Sequence, residues 1–198
     1  TQLQLKPKTV EVVATGFNAA LESAGDVNAD GVPDVIAGGY LYILGGGQVR
    51  VFSGADGSIL YTITPYPMPP GFPGPYYLPG ASVAGVGDVD GDGYDDFLIG
   101  APEVHPDFPD PGWATLNSGA TGQPIFIVGG YAYGGNQNRF GMSCAAMGDV
   151  NLDGIPDFAV GQTKPERVNV FSGATGAFLY AIFPYTGASS FGSALRSS

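Results

Sequence analysis

The sequence contains little cysteine, histidine and positive charge, and each shortage narrows the possible class of protein. Its 198 residues include 1 Cys and 1 His, and 7 Lys and Arg stand against 18 Asp and Glu. The single Cys144 excludes an intrachain disulfide, so cysteine usage does not assign a redox compartment. The formal net charge of −11 argues against nucleic acid and anionic membrane surfaces as partners.

Long uninterrupted apolar runs are also missing. Three uncharged stretches have the length to cross a bilayer, at Gly57–Gly87, Pro111–Asn138 and Val168–Leu195, but Gly and Pro interrupt each one, which argues against membrane insertion. The first ten residues lack the apolar core of a signal peptide, so we expect a secretion signal to have been removed already. With 44% hydrophobic residues, the chain is predicted to fold despite its 33 Gly and 17 Pro.

One acidic segment occurs three times along the chain. The copies are GDVNADGVPDVIAG at residues 25–38, GDVDGDGYDDFLIG at 87–100 and GDVNLDGIPDFAVG at 148–161. A Ser-Gly turn motif follows each copy, at residues 53–57, 118–122 and 172–176. Because the leading aspartates are 62 and 61 residues apart, the chain is a tandem repeat with three full units.

Within a repeat, the apolar residues occur in short runs that are typical of strands. Examples are residues 81–86, 96–99, 113–117 and 124–128, which Gly, Pro, Asn and Asp separate from one another. No segment sustains the period of a helix over ten residues. Four short antiparallel strands recurring about every 60 residues predict an all-β fold of β-propeller blades.

The motifs resemble the FG-GAP repeat of integrin α-subunit propellers and their bacterial relatives. The resemblance rests on the Asp-rich segments, on Phe140-Gly141 and on residues 99–102 (IGAP), although Asn18 replaces the Gly in the first copy and Pro79 the Phe in the second. It implies a single propeller-type domain over residues 1–198, with about three blades where the family typically has seven. We expect blade 1 at about 17–63, blade 2 at about 79–128 and blade 3 at about 140–183, with flanking strands at 9–14 and 191–198.

Each acidic segment follows the pattern D-x-[DN]-x-D-G-x-x-D, whose alternate side chains can converge on one hard cation. The predicted ligands are the side chains at positions 1, 3, 5 and 9 and the backbone carbonyl at position 7. In the first loop they are Asp26, Asn28, Asp30, Val32 and Asp34. In the second they are Asp88, Asp90, Asp92, Tyr94 and Asp96, and in the third Asp149, Asn151, Asp153, Ile155 and Asp157.

An all-oxygen donor set with several carboxylates suits Ca²⁺ better than Zn²⁺ or Mg²⁺, so the sequence predicts three calcium sites. The resemblance also implies calcium, because such loops bind it between the first two strands of a blade. Position 12 holds Ala37, Ile99 or Val160 in place of the glutamate of an EF-hand, which excludes that motif. Asp95, at position 8 of the second loop, is expected to point away from the metal. The alternative is that Asp, Asn and Gly form only a polar turn.

Because loops alternate between the two faces of an antiparallel four-stranded blade, the acidic loops and the Ser-Gly turns are expected to share one face. The Tyr- and Pro-rich loops are expected at the opposite face. They contain the possible partner-binding residues, which are Tyr66, Tyr76, Tyr77, His105, Tyr131 and Tyr133. Exposed Tyr and Pro suit contact with protein or glycan, while the alternative is that these loops only cover the ends of the blade core. Around His105, a metal or acid–base site is the alternative to a solvated loop, and the solvated loop is preferred.

The absence of a recognisable nucleophile–base pattern predicts that the chain is not an enzyme. We expect a noncatalytic, calcium-stabilised structural or adhesion module that is extracellular or at the cell surface. A strand without its own blade at each end predicts self-assembly, through blade completion between chains, into an oligomer or filament. The alternative is a glycan-binding or glycan-cleaving propeller domain.

Overall fold

The computed structural model describes residues 17–41, 46–64, 79–102, 112–129, 139–163 and 165–184. These residues form twelve strands in three four-stranded antiparallel sheets, and no helix among them could span a membrane. The first sheet contains β1 (Phe17–Gly25), β2 (Asp34–Leu41), β3 (Gly46–Phe52) and β4 (Ile59–Ile63). The second contains β5 (Ser82–Gly87), β6 (Asp96–Ala101), β7 (Trp113–Asn117) and β8 (Pro124–Gly129). The third contains β9 (Ser143–Gly148), β10 (Asp157–Thr163), β11 (Glu166–Phe171) and β12 (Phe178–Ile182).

Each sheet is a simple meander in which consecutive strands pair, as in a propeller blade. The sheets are called blade 1, blade 2 and blade 3 in chain order. Their first strands are neighbours, since β1 lies against β5 and β5 lies against β9. The prediction of an all-β fold of four-stranded propeller blades is confirmed. The predicted flanking strands, at 9–14 and 191–198, lie outside the described residues.

Alternation along the second strand of a blade places apolar side chains on both of its faces. In β6, Phe97 and Ile99 are buried against blade 1, while Leu98 is buried in the cluster shared with blade 3. A strand enclosed on both faces is a near-continuous apolar run, which is why DFLIGA shows no polar alternation after its first residue. The hydrophobic cores therefore lie between blades.

Three phenylalanines form the centre of the core between blades 2 and 3. Phe158 stacks on Phe171 with ring centroids 5.4 Å apart, and Phe140 meets Phe171 edge to face at 6.1 Å. All three rings are fully buried. Burying one such side chain stabilises a fold by about 1.5–3 kcal/mol, so this cluster is a major contribution to the blade 2–blade 3 contact.

The Phe-Gly and Gly-Ala-Pro motifs meet at a backbone contact between neighbouring blades. Gly141 donates its N–H to Gly161 O within blade 3 at 3.1 Å, and it adopts a φ of +89°. Its own carbonyl oxygen accepts a hydrogen bond from Ser82 Oγ in blade 2 at 2.9 Å. The same carbonyl packs directly over Gly100, where it would overlap any Cβ atom. Two backbones approach so closely here that glycine is required in both blades.

An aromatic residue on the fourth strand contacts the Ser-Gly turn of the next blade. The hydroxyl of Tyr61 in blade 1 lies 2.7 Å from Gly119 O and 2.9 Å from Ala120 O, and these two carbonyl oxygens share its single proton. Burial is the main cause that raises the pKa of Tyr61, with the nearby Tyr94 and Asp92 adding to it. In the next pair of blades, Phe126 occupies the equivalent place against the turn of blade 3.

Candidate metal centres

The three acidic loops connect the first and second strands of their blades. They are called loop 1 (26–34), loop 2 (88–96) and loop 3 (149–157). The last aspartate of each loop is also the first residue of the second strand. The Ser-Gly turn between the third and fourth strands lies beside the loop at the same end of each blade.

The first aspartate of each loop holds the loop closed by accepting backbone N–H groups. In loop 2, Asp88 Oδ2 accepts from Gly93 N at 2.9 Å, and Asp88 Oδ1 accepts from Gly91 N at 2.8 Å and Asp92 N at 3.1 Å. The equivalent bonds to the sixth residue measure 2.8 Å in loop 1 and 2.9 Å in loop 3. The three loops therefore share the hydrogen bond that closes each of them.

The last aspartate of each loop is buried and joins the loop to the Ser-Gly turn. Asp96 is 0% exposed, and its Oδ2 accepts from Val89 N while its Oδ1 accepts from Gly119 N, both at 2.8 Å. Asp34 and Asp157 make the same two connections in blades 1 and 3. The ninth residue is thus a structural link as well as a predicted ligand, a role that its spacing in the sequence does not reveal.

Loop 2 brings three carboxylates together. One oxygen from each of Asp88, Asp90 and Asp96 lies within 4.8 Å of the others, which matches the oxygen-rich donor set that Ca²⁺ prefers. The pKa of Asp96 is raised to about 6, mainly by burial; its two backbone hydrogen bonds lower the pKa, and the charges of Asp90 and Asp92 add to the rise. A bound cation would offset the repulsion among the carboxylates of loop 2.

The predicted ligand Asp92 lies outside that group of three. Its Oδ1 accepts from Tyr94 N at 3.0 Å, and Asp92 N donates to Asp90 Oδ1 at 3.1 Å. In loops 1 and 3, Asn28 and Asn151 stand at the third position, where loop 2 has an aspartate. Loop 2 is therefore the most acidic of the three, and the complete ligand sets remain predictions.

Asp95 makes a contact that the repeat pattern did not predict. Its Oδ2 accepts from Asp26 N at 2.8 Å, and its own N–H donates to Asp26 O at 3.0 Å. These two hydrogen bonds connect loop 2 directly to loop 1 in the neighbouring blade. Position 8 is Pro33 in loop 1 and Pro156 in loop 3, so only a comparison of the three copies could have singled out Asp95.

The remaining predicted site residues fall elsewhere. The possible partner-binding residues Tyr66, Tyr76, Tyr77, His105, Tyr131 and Tyr133 lie outside the described residues. Cys144 is buried in the core, burial raises its pKa to about 12, and its sulfur lies 3.2 Å from Ser82 Oγ. A thiol in this state is unreactive at neutral pH.

Comparison with known proteins agrees with the geometry of the repeats. Residues 79–112 match the family model of the FG-GAP repeat. The chain is 30% identical over 182 residues to integrin alpha-V of Gallus gallus, an alignment that covers 81% of this chain and 16% of that protein. It is 39% identical over 89 residues to integrin alpha-PS2 of Drosophila melanogaster, covering 37% of this chain and 6% of that protein. The chain thus spans no more than about a sixth of the length of either relative.

A solved structure also shares the fold. The rhamnogalacturonan lyase YesW superimposes with a TM-score of 0.52 at 16% sequence identity, covering 87% of this chain and 35% of that chain. At this identity the likeness concerns the fold alone. The three blades and the sequence matches together identify the chain as an FG-GAP repeat protein with an integrin alpha-like β-propeller fold.

Proposed function

We propose that the chain forms a single FG-GAP propeller-type domain that acts as a noncatalytic, calcium-stabilised structural or adhesion module. The observation that carries the proposal is the threefold repetition of an acidic loop whose last carboxylate is buried between the loop and the Ser-Gly turn. A cation held by such a loop adds to the links within its blade. Similarity to integrin alpha subunits supports an extracellular or cell-surface location.

The donor chemistry fits three Ca²⁺ ions, one in each loop. Carboxylate, amide and carbonyl oxygens are hard ligands, and no Cys or His stands among the predicted ligands. Three divalent ions would offset six of the formal negative charges of a chain whose net charge is −11. Extracellular calcium modules often have dissociation constants of about 10⁻⁴–10⁻³ M, so millimolar calcium would fill these sites.

Calcium is expected to raise the thermal stability of the chain substantially. At about ten times the dissociation constant each site contributes roughly 1.4 kcal/mol, or about 4 kcal/mol for three sites. For a protein of this size, that corresponds to a rise in Tm of about 10 °C. Titration calorimetry should give three Ca²⁺ per chain, and thermal unfolding should show the fall in Tm on adding EDTA. Failure to bind calcium at millimolar concentration would contradict the proposal.

The noncatalytic assignment rests on the chemistry of the described residues. Their buried carboxylates are bonded to backbone N–H groups, and Cys144 is a buried thiol. We propose no lyase activity for this chain, because the resemblance to the rhamnogalacturonan lyase concerns the fold alone. Turnover of a polysaccharide that is lost on replacing His105 would contradict the assignment and favour the glycan-cleaving alternative, and specific binding on a glycan array would favour the glycan-binding one.

One face of blade 1 supports self-assembly. In blades 2 and 3, the residue after the last loop aspartate is Phe97 or Phe158, and each ring is 0% exposed against the preceding blade. The equivalent Val35 of blade 1 is 37% exposed, and Leu21 on the same face is 69% exposed. We propose that a second copy of the chain covers this face, with blades completed between chains into an oligomer or filament.

The assembly is tested by light scattering on the full chain in millimolar calcium. Leu21→Lys is expected to shift the population to a 20.2 kDa monomer, because a lysine ammonium is costly to bury in an apolar contact. Ile127→Lys is the matched control, since Ile127 is 55% exposed on the fourth strand of blade 2. A monodisperse monomer of the unchanged chain would exclude assembly, and equal effects of the two variants would exclude this face.

A further inference from the structure

Two hydrogen bonds connect the backbone of loop 1 to loop 2 through a single residue. Asp26 N donates to Asp95 Oδ2 at 2.8 Å, and Asp95 N donates to Asp26 O at 3.0 Å. Both residues are partly buried, and the bonded pair spans 69 positions of sequence. Gly25 allows this approach, because a Cβ atom at residue 25 would overlap the Asp95 carboxylate. The contact is therefore reciprocal and closely packed.

Asp95 lies between two predicted calcium ligands of loop 2 in the sequence. Its neighbours Tyr94 and Asp96 supply the predicted carbonyl and carboxylate ligands of loop 2. Its partner Asp26 supplies the first predicted ligand of loop 1, and its carboxylate also accepts from Gly31 N at 2.8 Å. The residue that contacts the backbone of loop 1 thus lies between two predicted ligands of loop 2.

The equivalent contact between blades 2 and 3 is of a different kind. Pro156 occupies position 8 of loop 3, and its Cγ would lie 3.7 Å from a Cβ atom at Gly87. Proline has no N–H to donate and no side-chain oxygen to accept. The described blades therefore contain one hydrogen-bonded and one apolar version of the same interblade contact, which provides an internal comparison.

We propose that Asp95 is a positioning residue that couples calcium binding at loops 1 and 2, while loop 3 binds calcium independently. The proposal rests on the calcium sites proposed above. Calcium at loop 2 orders the segment 94–96, which holds Asp26 in the conformation that loop 1 needs for its own ion. Because coupling is reciprocal, calcium at loop 1 favours loop 2 by the same factor.

The test is a calcium titration of the full chain followed by NMR at the sixth residue of each loop. The amides of Gly31, Gly93 and Gly154 each donate to the first aspartate of their own loop, so each signal reports one site. Asp95→Ala is expected to weaken calcium binding at loops 1 and 2 about fivefold and to leave loop 3 unchanged. Pro156→Ala is the matched control and should leave loops 1 and 2 unchanged.

A mutant cycle separates coupling from simple destabilisation. Asp90→Ala, which removes a predicted ligand of loop 2, should weaken calcium binding at loop 1 about fivefold in the original chain. The effect should be smaller in the Asp95→Ala chain, which loses the side-chain bond to Asp26 N but keeps the backbone bond to Asp26 O. Asp95→Asn keeps an oxygen that can accept from Asp26 N, so most of the coupling should persist in it. This variant also provides a folded comparison if Asp95→Ala does not fold.

The outcomes distinguish this inference from the proposed function. Three calcium ions bound with loop 1 unaffected by Asp95→Ala would overturn the coupling and leave the calcium proposal intact. An equal loss at all three loops would also overturn it, because that pattern indicates general destabilisation. If Asp95→Asn loses as much coupling as Asp95→Ala, the hydrogen bond from Asp26 N to the side chain of residue 95 does not carry the coupling, and the proposal is overturned. A chain that binds no calcium at all would overturn the proposed function and the coupling together.

Discussion

Gly100→Ala is expected to destabilise the fold by about 3 kcal/mol or more, because the added methyl group has no space to occupy. Its Cβ would overlap Gly141 O of blade 3 and Ser82 Oγ of blade 2, and it would lie 3.1 Å from Cys144 Sγ. The carbonyl belongs to a backbone segment held in blade 3 by the Gly141 N–H bond to Gly161 O, so it can move away from Gly100 only if this bond breaks or the two blades separate.

Thermal unfolding followed by circular dichroism should show a fall in Tm of about 10 °C for this variant. Gly129→Ala is the matched control, since a Cβ there meets nothing within 4 Å and its φ is an ordinary one. We expect the control to change stability by less than about 0.5 kcal/mol. Similar stability losses in the two variants would show that the close approach at Gly100 is not what requires glycine.

Asp157→Ala is expected to lower the free energy of unfolding by about 1–3 kcal/mol even in EDTA. Its buried carboxylate accepts from Val150 N at 2.9 Å, Asn151 N at 3.2 Å and Gly173 N at 3.0 Å. A buried donor left without an acceptor costs about 1–3 kcal/mol, and Gly173 N is such a donor, while the bonds from Val150 N and Asn151 N are only partly buried. This loss should therefore be present without calcium, and in millimolar calcium the removal of a predicted ligand adds to it.

Asp153→Ala in the same loop distinguishes the contribution of calcium to stability from the contribution of the loop's own hydrogen bonds. Asp153 is exposed, and its Oδ1 accepts from Ile155 N at 2.9 Å, where water can replace it. In EDTA this variant should unfold within about 0.5 kcal/mol of the original chain. In millimolar calcium it should lose the stabilisation of one site, roughly 1.4 kcal/mol. Chemical denaturation in both conditions measures the two effects, and identical behaviour of the two variants would refute separate roles for Asp157 and Asp153.

The repeat pattern predicted the architecture because the same short apolar runs and turn residues, which depend only on local sequence, occur in each of the three copies. Short apolar runs between turn residues are sufficient to predict strands, and a period of about 60 residues is sufficient to predict four of them per blade. The prediction that the acidic loops and Ser-Gly turns share one end of the blade followed from antiparallel alternation. The hydrogen bond from Gly119 N to Asp96 Oδ1 is an example of that proximity.

Contacts between blades could not be derived from a single repeat. Asp95 and Pro156 occupy the same position of two loops, but one accepts and donates hydrogen bonds across the interface while the other makes an apolar contact. Which residue lies opposite them depends on the angle and distance between sheets, which depend in turn on the packing of buried rings such as Phe158. The role of Asp95 was therefore decided by tertiary structure.

The sequence by itself determined the all-β fold, the repeat and the chemical character of the acidic loops, because strand periodicity and ligand type are local properties of the chain. Only the tertiary structure decided that Asp157 is a buried link between loop and turn and that Gly100 lies under a carbonyl of the next blade. Both features arise from segments that are distant in sequence and meet only when the blades pack. Burial and close approach depend on the distances between packed blades, and these distances cannot be derived from the amino-acid sequence of one repeat.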